Sequence, residues 1–472
     1  CRNYAMRISK SKYISFIDSD DAWKNAKLER QINFMEKNTS EIAYIVSSTH
    51  DGRGIADIDG KKVFVAGALE GEKVMFQRRK RRRKYDEAEL LEVLAPSLSR
   101  IKPRCDVFGR CGGCSLQHLS SDAQRDLKLQ TLKDNLSRIG KVSPNRWLES
   151  IYAPGENGSW NYRRRARLGV KYVERKNRVL VGFRERYAPF ITDMHRCEVL
   201  QHPVNELIDP LSDLIGSLSI RSHVPQIEIA VGDHCVELVI RVLEPPTKKD
   251  KKLLSTFAEK NKLRIALQTG GPHTIKLLDT GSSFQPLSYA HESHNIISEF
   301  ISTDFIQINN QVNKLRVSRA IELLEPQKTD RVIDLFCGIG NFSLPLARYA
   351  KEVIGIELLE ELVQRAEHNA KLNNIKNIKF FSGDLFNLDN NRSDLECDKL
   401  LLDPARSGAF EIVKHIKLFN AQKIVYVSCH PGTLARDADI LVNQENYTLD
   451  AAGIIDMFPH TTHVESITVF KK

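Results

Sequence analysis

The second half of the chain alternates short, uniformly apolar runs with amphipathic stretches. Ile424-Val425-Tyr426-Val427-Ser428-Cys429 has the pattern of a central parallel strand and is followed by His430-Pro431. Arg331 to Phe342 reads as a strand that enters a glycine turn and then a helix. Further strands are predicted at Glu352–Ile356, Ile378–Phe381 and Lys399–Leu402, with a helix over Leu359–Leu372 between the first two. This alternation over residues 286–472 predicts an α/β domain with a doubly wound parallel sheet. Residues 96–285 mix elements: an amphipathic helix over Gln124–Arg138, and strands over Arg167–Val173, Leu180–Phe183 and Cys235–Val242. Residues 45–95 look all-β. Turns at Asp51-Gly52-Arg53-Gly54 and Asp59-Gly60 punctuate strands at Lys62–Val65 and Glu72–Phe76, which predicts a small barrel of OB type. Residues 1–44 follow another pattern, with a strand over Tyr13–Ile17 that ends in Asp18-Ser19-Asp20-Asp21 and a helix over Lys27–Glu36.

Charge adds a partner class. The net charge is +10 and the pI about 9.0, a balance that favours polyanions. Two clusters concentrate it: Gln77 to Lys84, and Arg163-Arg164-Arg165-Ala166-Arg167 with Tyr162 beside it. Such runs are usually solvated faces, but here the excess is global as well as local, which points to nucleic acid. No apolar run is long enough to span a bilayer and no signal-peptide pattern opens the sequence, so a cytoplasmic protein is expected.

Nine cysteines in 472 residues do not form a disulfide framework. Cys105, Cys111 and Cys114 crowd into ten residues, with Gly112-Gly113 between the last two. Glycines let such a loop wrap a metal and turn its amides toward sulfur. Cys197 is the best distant candidate for a fourth ligand. Four thiolates suit either a [4Fe–4S] cluster or zinc; the single close pair with a third cysteine at longer offset leans toward iron–sulfur.

The strand ends of the last domain carry cofactor chemistry, because ligands of open α/β sheets collect there. Gly338 and Gly340 follow the strand that contains Asp334, and Glu357 lies about twenty residues on, where an acid takes ribose hydroxyls. Gly383-Asp384 follows the third strand and suits an adenine amine. The turn lacks the full dinucleotide glycine set, which favours S-adenosylmethionine over a pyrophosphate ligand. A fourth strand ends in Asp403-Pro404-Ala405-Arg406-Ser407-Gly408, the fifth in Cys429, and Asp456 to Ser466 offers a carboxylate, two histidines and Glu465 between apolar residues.

Residues 45–472 resemble the RNA uracil-5-methyltransferases, nearest to the bacterial 23S ribosomal RNA type with a TRAM domain and a [4Fe–4S] cluster. The motifs are Gly52 to Ala56 with Val63 to Glu72, the three clustered cysteines, Asp334 to Phe342, Leu402 to Gly408, Ser428 to Asp437 and Met457 to Ser466. The resemblance implies a TRAM barrel over 45–95, a central α+β iron–sulfur domain over 96–285 and a Rossmann-like methyltransferase domain over 286–472. It implies Cys105, Cys111, Cys114 and Cys197 as cluster ligands. Gln307, Phe336, Asn341, Glu357, Asp384 and Asp403 would line the S-adenosylmethionine and uracil pocket. Cys429 would be the nucleophile, with a pKa lowered by the pocket, and Glu465 the general base. His430-Pro431-Gly432 departs from the more usual Asn-Pro-Ala, which leaves the neighbouring hydrogen bonds open. The implied partner is 23S ribosomal RNA and the implied state a monomer. Residues 1–44 resemble part of a family 2 glycosyltransferase; beginning at Cys1 rather than methionine, they are expected to be a truncated or fused fragment without activity. The alternatives are another RNA target, an iron–sulfur RNA-binding protein without turnover, and a DNA cytosine-5-methyltransferase, which would place its thiol after the fourth strand.

Overall fold

The computed structural model describes residues 40–155, 158–278, 285–385 and 395–472. Most of the expected glycosyltransferase-like segment therefore lies outside the described residues. The chain divides into two compact units, one ending at Arg100 and the other beginning at Ile101. No helix among the described residues is long and apolar enough to cross a membrane.

The first unit holds β1 (Ser40–Tyr44), β2 (Ser47–Ser48), β3 (Gly54–Ile58), β4 (Lys61–Ala66), β5 (Lys73–Arg81) and β6 (Tyr85–Ala95) in one sheet of order β1-β5-β6-β4-β3-β2. Its two edge strands are successive segments of one stretch. Ile45 N–H donates to Glu72 O at 2.9 Å, and the next residue, Val46, donates to Ile55 O at 2.8 Å, so the sheet curls back on itself. Ala56, Val63, Val65, Val74 and Phe76 fill its interior. The basic run is not a loose tail: β5 continues through it to Arg81, because β6 sets acids opposite. Lys80 lies across from Glu87 and Arg81 from Asp86. Arg78 also reaches Glu41 and Asp86 at 2.7 and 2.6 Å. Opposite charges across neighbouring strands stabilise the pairing.

The second unit contains two large sheets. One has order β13-β12-β11-β10-β8-β9, from β8 (Arg165–Val173), β9 (Arg178–Gly182), β10 (Gln226–Val231), β11 (Val236–Arg241), β12 (Arg264–Gln268) and β13 (Lys276–Leu277). Helices Ile208–Ser217 and Lys248–Lys260 contribute Leu211, Ile215, Leu254 and Ala258 to its core. A hairpin of β14 (Ser288–His291) and β15 (Ile296–Glu299) follows.

The other sheet has order β18-β17-β16-β19-β20-β22-β21-β7. Its strands are β7 (Arg146–Trp147), β16 (Arg331–Leu335), β17 (Glu352–Glu357), β18 (Ile378–Ser382), β19 (Lys399–Leu402), β20 (Lys423–Ser428), β21 (Thr448–Ile455) and β22 (Glu465–Lys471). β16 to β20 are parallel, as expected. The sheet as a whole is mixed rather than parallel, because β22 runs antiparallel to β20 and β21 antiparallel to β22. Both faces are covered. Ile333, Leu400, Ile424 and Tyr426 join one core, and Val332, Leu401, Val425 and Val427 join the other. Two-sided burial is why these strands read as unbroken apolar runs.

One segment departs from the predicted division. Helix Ser121–Arg138 buries Leu132 and Leu136 against Leu434 and Ala438 of helix Pro431–Asn443, and β7 joins the edge of this sheet beside β21. Residues 121–151 thus pack with the C-terminal layer, not with β8–β13. Gly355 of β17 shows how tight that layer is: a Cβ there would stand 2.5 Å from the Phe380 ring and 3.0 Å from Cys337 Sγ. Gly355→Ala is expected to destabilise the unit by roughly 1–3 kcal/mol through overpacking, measured as a lowered midpoint in denaturant unfolding.

Candidate active site

The parallel strands deliver their carboxyl ends to one edge, and a cavity of about 550 Å³ opens there. Its lining includes Gln307, Phe336, Asn341, Glu357, Asp403, Cys429 and Glu465. Of the residues predicted for the pocket, Asp384 alone is not among the described lining; after Gly383 the chain turns so that Leu385 takes that wall. The cavity lies at the switch point where β16 has β17 on one side and β19 on the other, the usual crevice of such sheets.

The glycine turn after β16 is built by backbone geometry that few residues adopt. Phe336, Gly338 and Gly340 have φ of 65°, 54° and 89°. Gly338 N–H donates to Glu357 Oε2 at 3.1 Å, and Leu358 N–H donates to Glu357 Oε1 at 2.9 Å. The carboxylate is thus held at the end of β17, facing the turn. Asn341 also lines the cavity and is braced by several side chains. Its Oδ1 accepts from Tyr289 at 3.1 Å and Asn313 at 2.9 Å and lies 3.2 Å from His291 Nε2, while its Nδ2 donates to Asn313. Its carboxamide fixes the turn to helix Asn310–Leu324. Below the turn, Asp334 is fully buried and accepts from the Ser343 hydroxyl; burial pushes its pKa up to about 7.

Cys429 and Glu465 are neighbours by register. Ser428 of β20 pairs with Ser466 of antiparallel β22, so the residue after the first strand lies beside the residue that opens the second. Glu465 is 4% exposed, its Oε2 has no hydrogen bond, and burial pushes its pKa up to about 7. Burial also raises the Asp403 pKa. Cys429 was expected to have a lowered pKa. Instead, burial and the nearby Glu465 and Asp403 carboxylates push it up, with Arg406 pulling the other way. His430 resolves the departure from Asn-Pro-Ala: its Nδ1 accepts from Thr433 N–H at 3.2 Å and caps helix Pro431–Asn443, the role a side-chain oxygen usually plays.

Two buried cations escaped the sequence reading. Arg316 is 1% exposed and sits among Gln307, Asp403, Glu465 and the Phe342 ring. The available signal was its spacing: helix Asn310–Leu324 buries Val312, Val317, Ala320 and Leu324, and Arg316 shares that stripe. Lys128 is likewise 1% exposed on the inner face of helix Ser121–Arg138. Its Nζ lies 2.6 Å from Asp456 Oδ1 and donates to Phe458 O at 2.9 Å.

Lys128 is one of several anchors on the segment between β21 and β22, which lends Phe458 and His463 to the cavity. Gln124 Oε1 accepts from His460 N–H at 2.8 Å, and Tyr162 donates to Pro459 O at 3.0 Å. The Trp160 ring stacks on His460 with centroids 3.8 Å apart. Ser115 and Leu116 N–H both donate to His460 O, at 2.8 and 2.9 Å.

Those last two donors directly follow the predicted metal ligands. Cys105, Cys111, Cys114 and Cys197 ring a second, small cavity with Phe108, Phe183 and Met194. Gly113 N–H donates to Cys111 Sγ at 3.4 Å, and Gly112 N–H to Arg184 O at 2.9 Å. Burial pushes the Cys114 and Cys197 thiols up to about 11 and 12.

The family model described as tRNA (Uracil-5-)-methyltransferase matches residues 150–472, and one described as Glycosyl transferase family 2 matches residues 1–118. The 23S rRNA (uracil(1939)-C(5))-methyltransferase RlmD of Vesicomyosocius okutanii subsp. Calyptogena okutanii is 46% identical over 434 residues, 91% of this chain and 96% of that protein. Its namesake from Nitrosococcus oceani is 48% identical over 433 residues, with the same coverage of both chains. The Pyrococcus abyssi tRNA (uracil-54, C5)-methyltransferase, solved with S-adenosyl-L-homocysteine, superposes with a TM-score of 0.70 at 22% identity, over 91% of this chain and 100% of that one, which shows a shared fold. By the extent of these matches, the chain belongs to the RNA uracil-5-methyltransferase family.

Proposed function

We propose that the chain methylates carbon 5 of a uridine in 23S ribosomal RNA, with Cys429 as nucleophile and Glu465 as general base. The observation that carries this reading is the convergence of Cys429, Glu465 and Asp403 on one cavity beside the glycine turn of β16. The two relatives at 46% and 48% identity carry the ribosomal RNA name across nearly their whole length.

The chemistry follows from the base. Carbon 5 of uracil is a poor nucleophile until carbon 6 is saturated. As the Cys429 sulfur bonds to carbon 6, its proton passes to a pocket base, and carbon 5 becomes enolate-like. S-adenosylmethionine, when bound, supplies the methyl group that carbon 5 takes. Glu465 then accepts the carbon 5 proton, the sulfur–carbon 6 bond breaks, and the thiol is regenerated. A carboxyl with a pKa of about 7 suits that task, because it accepts a proton near neutral pH and can release it again. Glu357, pinned by Gly338 and Leu358 amides, fits a ribose diol. Phe336, Gln307, Asn341 and Asp403 complete the cofactor walls, and Asp384 would join them from beyond the described lining. The uridine must leave its stack to enter.

Cys105, Cys111, Cys114 and Cys197 are proposed as ligands of a [4Fe–4S] cluster. The support for this reading is that the four cysteines line one small cavity, with Gly112 and Gly113 between two of them. The curled sheet of residues 40–95 is read as a TRAM barrel that contacts RNA phosphates through its exposed Lys80, Arg81, Arg83 and Lys84.

Three outcomes test these assignments. Cys429→Ala should abolish 5-methyluridine formation in transcribed 23S ribosomal RNA, measured by mass mapping; retained turnover removes Cys429 from the nucleophile role. Glu465→Gln should accumulate a covalent protein–RNA adduct, seen as a slow band on a denaturing gel. Anaerobically purified protein should contain iron and acid-labile sulfide and lose both in a Cys111→Ser/Cys114→Ser variant; stoichiometric zinc instead would refute the cluster.

A further inference from the structure

We infer that Arg316 is a positioning residue for methyl transfer: its guanidinium separates and aims the Asp403 and Glu465 carboxylates and keeps Glu465 in its proton-accepting form. The inference rests on the reading of Glu465 as the base.

Burying a guanidinium is costly unless it is paired, and Arg316 is 1% exposed on the buried face of helix Asn310–Leu324, whose other buried residues are apolar apart from Asn313. A pair made for stability alone would be short and bidentate, near 2.7–2.9 Å. Arg316 has no such partner. Its Nη2 stands 3.5 Å from Asp403 Oδ2 and its Nη1 stands 3.9 Å from Glu465 Oε2. One fork thus spans two carboxylates that come from different strands, at distances that leave both able to turn toward a ligand. With its amide oxygen facing the fork, Gln307 accepts from the same two nitrogens at 3.1 and 3.2 Å. The Phe342 ring backs the guanidinium at 4.7 Å and holds its plane.

The fork also answers an electrostatic problem. Glu465 faces Asp403 from the end of β19 and Cys429 from the end of β20, both of which oppose its charge when ionised. Lys128, from helix Ser121–Arg138, favours that charge but is already bound to Asp456. His463 and Arg406, 3.3 Å apart, line the same cavity. Arg316 is the largest influence opposing the burial of Glu465, and it is the influence that lowers the Asp403 pKa. Glu465 Oε2 has no hydrogen bond to replace it.

The test is the pH dependence of kcat at saturating S-adenosylmethionine on a transcribed 23S ribosomal RNA fragment. The step needs ionised Glu465, so its pKa sets the acid limb. Arg316→Gln should move that limb upward by about one pH unit, so that the rate at pH 6.5 falls on the order of tenfold more than at pH 9. Arg316→Lys keeps the charge but not the fork; it should leave the limb in place and lower kcat. A wild-type limb in Arg316→Gln, or equal losses at every pH in both variants, overturns the inference. If Arg316→Gln does not fold, Arg316→Lys decides: lowered kcat with an unmoved limb supports the role, and wild-type kcat, a displaced limb or no turnover overturns it. Adduct formation by Glu465→Gln separates the two levels. An adduct together with an unmoved Arg316→Gln limb rejects the Arg316 role alone, whereas no adduct rejects the base on which it rests.

Discussion

The antiparallel pairing of β20 with β22 is the constraint on which the site depends. Parallel strands bring Phe336, Glu357, Asp403 and Cys429 to a common edge simply because they end together. A carboxylate beside the thiol requires a strand that begins at that edge, and β22 does so with Glu465 as its first residue. The Ser428–Ser466 register fixes the match, and a slip of one residue would turn every side chain of β22 to the other face. The buried residues on both faces of this strand make such a slip very unfavourable.

Around that pairing the protein concentrates acid in a dry place. Asp334, Asp403 and Glu465 all have raised pKa values, and burial is the first cause for each. A pocket of this kind favours neutral forms and therefore a resting thiol. Two buried cations temper this field, Arg316 beside the Asp403 and Glu465 carboxylates and Lys128 bound to Asp456 in the segment between β21 and β22.

Much of this was legible in the sequence. The five parallel strands read clearly because each is buried on two faces, and the residues at their ends follow from the general rule for such sheets. The final hairpin was harder, since an α/β alternation gives no hint that the last strand reverses and inserts beside β20. Arg316 and Lys128 were hidden because basic residues on a helix are normally read as solvated; only their place on the inner stripe marks them. Asn341 lines the cavity, but its partners Tyr289, His291 and Asn313, which lie up to 52 residues away, left no local sign. The packing of residues 121–151 against the last domain was missed for a similar reason, since contacts between distant segments leave no local trace.

The anchoring of His460 has a consequence for modularity. The carbonyl of that residue is fixed by amides of Ser115 and Leu116, its N–H by Gln124 and its ring by Trp160, all upstream of residue 286. The last 187 residues look like a self-contained catalytic cassette in one dimension. In three dimensions they are not. Excised or grafted elsewhere, they would keep Cys429 and Glu465 yet lose the scaffold that shapes one rim of the cavity, in keeping with the single compact unit that begins at Ile101.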